Sequence, residues 1–191
     1  MAEKKKRKGR RAYLNDLYTD VSGNTIYTGK MYSPVGGPPF AEVKRRVGVL
    51  CGLVLAFVFA IACLPAPSML GYGKIYVILP FILEAVGVLL TEWAAVRLII
   101  HGPELRAYVY EATAKKLPWW LEMTAVFAAV SVVGNVVYLA LHGFEGKPIL
   151  GLLVIVFHIL AAVSALLCIR YLRGLTWSDG GEDLAPAGEE N

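Results

Sequence analysis

The sequence predicts an all-α membrane protein, a four-transmembrane-helix bundle with a short interfacial amphipathic helix between the second and third spans. The first observation is composition: 57% of the 191 residues are hydrophobic and 18% are charged, whereas soluble domains carry about 25% charged residues. The second is patterning, because four apolar stretches are each long enough to cross a bilayer, which takes about 20 residues. Backbone groups in hydrocarbon must also satisfy their own hydrogen bonds, which makes each stretch a helix.

The predicted transmembrane helices divide the chain into a head, a transmembrane domain over residues 47–173, and a tail. The helices are predicted at residues 47–64, 75–100, 119–141 and 149–169. The second is the least regular, because Glu84, Glu92 and Arg97 lie within it. Charges inside a span are costly, so we expect these side chains to find partners or to reach water.

Residues 1–46 are predicted to form a cytoplasmic polybasic head that ends in a Pro- and Gly-rich linker. The run from Lys4 to Arg11 is almost entirely basic, and near anionic lipid each such charge contributes on the order of 1 kcal/mol. Anionic lipid is therefore the expected partner of this run, in preference to nucleic acid. Over residues 12–32, β-forming residues flank Ser22-Gly23-Asn24, which is typical of a hairpin. An isolated hairpin is marginal in water, so a hairpin and a disordered segment remain alternatives.

The connection between the second and third spans is predicted to contain the interfacial helix. Pro103 suits a first helical position, and Pro118 closes the segment. Apolar residues recur between them at helical spacing: Leu105, Tyr108, Val109 and Ala112. The tail, residues 174–191, is rich in Gly and acidic residues and is predicted to be a disordered cytoplasmic segment.

The distribution of Lys and Arg predicts the orientation of the bundle. Of the 19 Lys and Arg residues, all but Lys74 and Lys147 fall in the head, the middle connection or the end of the fourth span. Positive residues accumulate on the cytoplasmic side, and aromatic residues such as Trp119 and Trp120 mark the interface. We therefore expect a multi-pass protein of the cell membrane with its N-terminus and C-terminus in the cytoplasm.

Small residues recur at every fourth position of the first span, at Gly48, Gly52, Ala56 and Ala60. A stripe of small residues allows the backbone of another helix to approach closely. The stripe is therefore a candidate helix-packing seam. It is explained either by packing within the chain or by contact with a second copy or a larger membrane-protein partner.

A candidate polar cluster is predicted near the middle of the membrane. Glu84 lies nine residues, or about 14 Å, from the start of the second span, and His158 lies at the same depth in the fourth. Ser131 and Asn135 bracket this level in the third span. The cluster could hold the bundle together through hydrogen bonds of about 0.6 kcal/mol each. It could instead bind a cation or relay protons.

No catalytic motif stands out, and neither a cofactor nor a metal site is expected. The sequence lacks H-E-x-x-H, the P-loop and G-x-S-x-G patterns, and its three cysteines include no C-x-x-C pair. An enzyme is therefore not expected. The features favour a scaffold or accessory subunit of a membrane complex. The alternative is a small transporter or channel subunit that uses Glu84 and His158 for cation or proton coupling.

Overall fold

A computed structural model describes residues 17–19, 25–64, 73–143 and 148–179, and it contains four long helices, one short helix and five short strands. The helices are α1 (Phe40–Cys63), α2 (Ile75–Ile100), α3 (Ala107–Ala112), α4 (Leu117–His142) and α5 (Pro148–Arg173). The strands are β1 (Leu17–Thr19), β2 (Thr25–Tyr27), β3 (Met31–Val35), β4 (Leu105–Arg106) and β5 (Thr176–Asp179). The prediction of four long helices is therefore confirmed.

The four long helices are long and apolar enough to cross a membrane. Their main contacts join α1 to α2, α2 to α4, α4 to α5, and α5 to α1. The helices thus form a ring in which α2 and α5 lie on opposite sides of the bundle axis. The end at which α1 and α4 begin and α2 and α5 end is called the basic end below, because most of the described Lys and Arg residues lie there.

The predicted start of the first helix was wrong, because α1 begins at Phe40 and not at residue 47. Hydropathy alone excludes this segment because it is charged, yet Val43 and Val47 are buried and continue the packed face of the helix toward its start. Glu42 and Arg46 form an ion pair one turn apart that further suits the helix. The head therefore gives way to the helix after Pro39.

A three-stranded antiparallel sheet lies at the basic end, in the order β4-β3-β5. Tyr32 in its central strand pairs with Leu105 on one side and Asp179 on the other. The prediction of disorder from residue 174 was therefore wrong for residues 176–179. Main-chain pairing to β3 orders this segment, and Trp177 packs against Tyr110 at 5.5 Å between ring centroids. The rest of the tail, residues 180–191, lies outside the described residues.

The connection between α2 and α4 differs from the predicted interfacial helix. It contains β4 followed by the six-residue helix α3. Leu105 and Val109, from the predicted apolar face, are fully buried in the core of the protein. Pairing of β4 with β3 holds this connection against the bundle, so these two side chains contact protein.

The hairpin alternative for the head is supported by the pairing of β1 with β2. The two strands are antiparallel, with Leu17 opposite Tyr27. The predicted turn at Ser22-Gly23-Asn24 lies outside the described residues, as does the basic run from Lys4 to Arg11.

Candidate functional site

Glu84 and His158 meet inside the bundle. Glu84 is 0% exposed and His158 is 1% exposed, and Nδ1 of His158 lies 2.7 Å from Oε2 of Glu84. The contact has the distance of an ion pair but not the geometry of a hydrogen bond. Because α2 and α5 lie on opposite sides of the ring, the pair spans the bundle axis.

Ser131 joins the pair from α4. Its hydroxyl donates a hydrogen bond of 3.2 Å to Oε2 of Glu84, so this carboxylate oxygen faces both an imidazole and a hydroxyl. Phe81, one turn from Glu84 along α2, packs edge-on against the His158 ring with centroids 6.0 Å apart. The polar contacts are thus walled by an aromatic ring, which keeps the local dielectric low and strengthens the electrostatic interaction.

Asn135 lies one helical turn beyond Ser131 and is directed mainly to its own helix. Its Nδ2 donates a 2.8 Å hydrogen bond to the main-chain oxygen of Ser131. The structure therefore brings Glu84, His158 and Ser131 into direct contact, whereas the Asn135 side chain bonds to the main chain of Ser131. Like the other three, Asn135 is buried.

Several buried oxygen atoms of this region lack hydrogen-bond partners among the described residues. They include Oε1 of Glu84, Oδ1 of Asn135 and Oγ1 of Thr91. A buried acceptor left unpaired costs about 1–3 kcal/mol. Binding of a proton, a cation or a water molecule to these oxygen atoms would remove that cost. In the part of the chain that the structure describes, no group of three or more His, Cys, Asp and Glu residues is arranged to hold a metal ion.

The buried face of α2 carries small and polar residues. Pro80, Glu84, Gly87, Thr91 and Ala95 are all buried. A helix whose buried side carries a carboxylate and a hydroxyl is unusual in a span, since polar side chains there are costly and turn toward the interior. This face directs Glu84 to the bundle axis.

Two glycines bring α2 and α4 close together on either side of Glu84. A Cβ at Gly87 would lie 2.7 Å from Oγ1 of Thr124, and one at Gly134 would lie 2.5 Å from the main-chain oxygen of Tyr76. Pro80 has no N–H to offer this Tyr76 oxygen, its usual helical partner. The role of Gly134 was not recognised from the sequence, since a single glycine gives no periodic signal. The proline four residues after Tyr76 is the signal that could have indicated a close approach.

Two of the four small residues of the α1 stripe lie outside the packing within the chain. The buried face of α1 is formed by Val47, Cys51 and Val54 with their helical neighbours. Gly52 and Ala56 are exposed, and a Cβ at Gly52 would meet nothing within 4 Å. Of the other two members of the stripe, Gly48 is half-buried beside Ile99, and Ala60 is half-buried. Packing within the chain therefore does not explain the stripe at Gly52 and Ala56.

Comparison with protein-family models, with curated proteins and with solved structures finds no match for this chain. The class that the fold defines is that of proteins with four helices suited to a membrane. The function must be inferred from the residues of the cluster themselves.

Proposed function

We propose that this chain is a multi-pass protein of the cell membrane that works as a small transporter or channel subunit and couples to a proton or another cation through Glu84 and His158. The observation that carries the proposal is the 2.7 Å contact between these two fully buried side chains on the bundle axis. We further propose that both termini lie in the cytoplasm, because most Lys and Arg residues lie at the basic end.

The free-energy cost of burying the Glu84–His158 pair argues against a purely structural role. A charged residue at the centre of a span costs about 2.5–3.5 kcal/mol on insertion, whereas a hydrogen bond between helices contributes only about 0.6 kcal/mol. Neutral side chains would hold α2, α4 and α5 together at lower cost. The presence of Glu84 opposite His158 is better explained by a need for groups that exchange a proton.

The pair favours exchange of one cation for another. A single proton shared between the Glu84 carboxylate and the His158 imidazole leaves the pair neutral, whichever group holds it. A second positive charge is costly in a low dielectric, so the arrival of a cation at Glu84 favours release of the proton through His158. The unpartnered Oε1 of Glu84 is the oxygen atom available to such a cation.

The proposal is tested by measuring flux into proteoliposomes that contain a pH-sensitive dye, with Na⁺, K⁺ and pH gradients imposed in turn. Glu84→Gln keeps the shape of the side chain but removes the charge that would bind the cation, and we expect it to reduce the flux by roughly tenfold or more, which corresponds to about 1.4 kcal/mol of lost cation binding. Glu122→Gln is the matched control, since Glu122 lies at the basic end, where it pairs with Arg173. Absence of flux in the parent protein, or equal flux in Glu84→Gln, would contradict the proposal.

The second candidate function is a scaffold or accessory subunit that assembles through α1. The observation in its favour is the exposure of Gly52 and Ala56 on the side of α1 that faces away from the bundle. Small residues on such a face suit close packing against a second copy of the chain. The supporting evidence is independent of Glu84, so the two candidate functions can hold together.

We expect the purified protein to be a dimer in mild detergent and Ala56→Ile to convert it to a monomer, because the larger side chain separates the two helices. Ala129→Ile is the control, since Ala129 is an exposed alanine of α4 outside this face. Molar mass by light scattering distinguishes the species. A monomeric parent protein, or a dimer that both substitutions leave intact, would exclude this role for α1.

A further inference from the structure

A groove of about 570 Å³ opens at the basic end, where the connection after α3 enters α4. It is lined by Glu111, Lys115, Lys116, Trp119 and Trp120. These residues are remote from the Glu84 cluster, which lies deep in the bundle. The groove therefore needs an explanation of its own.

The charge of the groove is positive. Lys115 and Lys116 are exposed, and Lys115 lies 4.0 Å from the carboxylate of Glu111 in a pair whose side chains are 64% and 69% exposed. Such an exposed pair is weak and leaves the ammonium group able to bind another anion. Within the described residues, no carboxylate lies at ion-pair distance from Lys116. Two ammonium groups therefore face one carboxylate, and the groove attracts anions.

The aromatic lining fits the boundary between a membrane and water. Trp119 and Trp120 pack edge to face with ring centroids 4.4 Å apart, and Trp119 is 51% exposed. Indole rings prefer the level of the lipid headgroups, because one edge is apolar and the N–H is polar. Apart from Glu122, which pairs with Arg173, no Asp, Glu, Lys or Arg follows them in α4. A molecule in the groove would thus meet cations on its polar side and indoles on its apolar side.

We propose that this groove binds the phosphate headgroup of an anionic phospholipid. Lys115 and Lys116 contact the phosphate, and the Trp119 and Trp120 rings pack against the glycerol and the first methylene groups. Charge complementarity argues for an anionic lipid over a zwitterionic one. The amphipathic lining argues for a lipid over free phosphate. This inference rests on the spans and the groove, and it is independent of any transport through Glu84.

The test measures lipid retained by the purified full-length protein. After delipidation the protein is mixed with phosphatidylglycerol or phosphatidylcholine, and bound lipid is counted by native mass spectrometry. We expect one tightly retained phosphatidylglycerol, and we expect Lys115→Gln with Lys116→Gln to weaken its binding by about thirtyfold, the equivalent of two lysine charges at an anionic surface. Lys44→Gln with Arg45→Gln is the matched control, since these are adjacent exposed cations of α1 at the same end. Equal weakening by both pairs would overturn the proposal.

A second measurement keeps Lys115 and Lys116 unaltered, so that it does not depend on the lysine variants. Phosphatidylglycerol brominated near the headgroup should quench Trp fluorescence more strongly than brominated phosphatidylcholine, and Trp119→Phe should remove much of that difference. Millimolar inorganic phosphate should not displace the lipid. Equal quenching by the two lipids would overturn the proposal, and displacement by inorganic phosphate would assign the groove to free phosphate instead.

Discussion

The hydroxyl of Ser131 connects α4 to the carboxylate of Glu84. We expect Ser131→Ala to lower the free energy of unfolding by about 0.6–1.7 kcal/mol, the range for hydrogen bonds between membrane helices. Ser164→Ala is the matched control, because the Ser164 hydroxyl donates to the Leu160 oxygen of its own helix. Unfolding in mixed micelles with increasing dodecyl sulfate measures both. A loss for Ser131→Ala no larger than for Ser164→Ala would contradict the importance of the bond between helices.

That Glu84 and His158 lie at one level of the bundle could be predicted at the residue scale, whereas the contacts of the cluster could not. A rise of about 1.5 Å per residue gives Glu84 and His158 the same depth once the helix starts are known. The sequence does not reveal how far each helix is rotated about its own axis. It therefore left open whether Glu84 and His158 touch, and it did not reveal that the Asn135 amide would bind the main chain of Ser131.

At the scale of elements, the crossing of α2 and α4 depends on Gly134. A Cβ at this position would lie 2.5 Å from the main-chain oxygen of Tyr76, and a backbone atom cannot move away as a flexible side chain would. We expect Gly134→Ala to destabilise the protein by about 1–3 kcal/mol, as overpacking does in a core. The change is measured by the same unfolding in mixed micelles.

Gly52→Ala, made in the Ala56→Ile background so that contact between two copies of α1 plays no part, is the control for this prediction, because a Cβ at Gly52 would meet nothing within 4 Å in its own chain. At Gly52 the change from Gly to Ala alters only the helix propensity, which favours Ala. The free energy of unfolding of this variant should therefore be unchanged or slightly raised. Equal stability of Gly134→Ala and Gly52→Ala would show that α4 can shift away from Tyr76 at little cost.

Helix boundaries could be predicted where an apolar run is bounded by loop residues on both sides. The helix predicted at residues 75–100 has the same bounds as α2. The start of α1 was missed because its first two turns carry Glu42, Lys44, Arg45 and Arg46. Their charges lower the hydropathy, although Val43 and Val47 keep the periodicity of a helix.

For the whole molecule, the sheet at the basic end was beyond what the sequence could predict. Its strands are two to five residues long, and β3 pairs with β5 across more than 140 residues of chain. Local patterns indicate which segments favour an extended conformation, but not which distant segments pair. Trp177 gave no signal of its contact with Tyr110, because a single aromatic residue in a Gly- and acid-rich tail has no periodic context.

The sheet also joins three of the four long helices at one end of the bundle. Its three strands lie next in the chain to the start of α1, the end of α2 and the end of α5. Pairing of the strands therefore holds these three helix ends together. Glu84 lies about 14 Å along α2 from the start of the helix, which is remote from the sheet, and about 24 Å from the end of the helix beside the sheet. The shorter distance from Glu84 to an end of its helix, and so to the water beyond it, therefore leads away from the sheet.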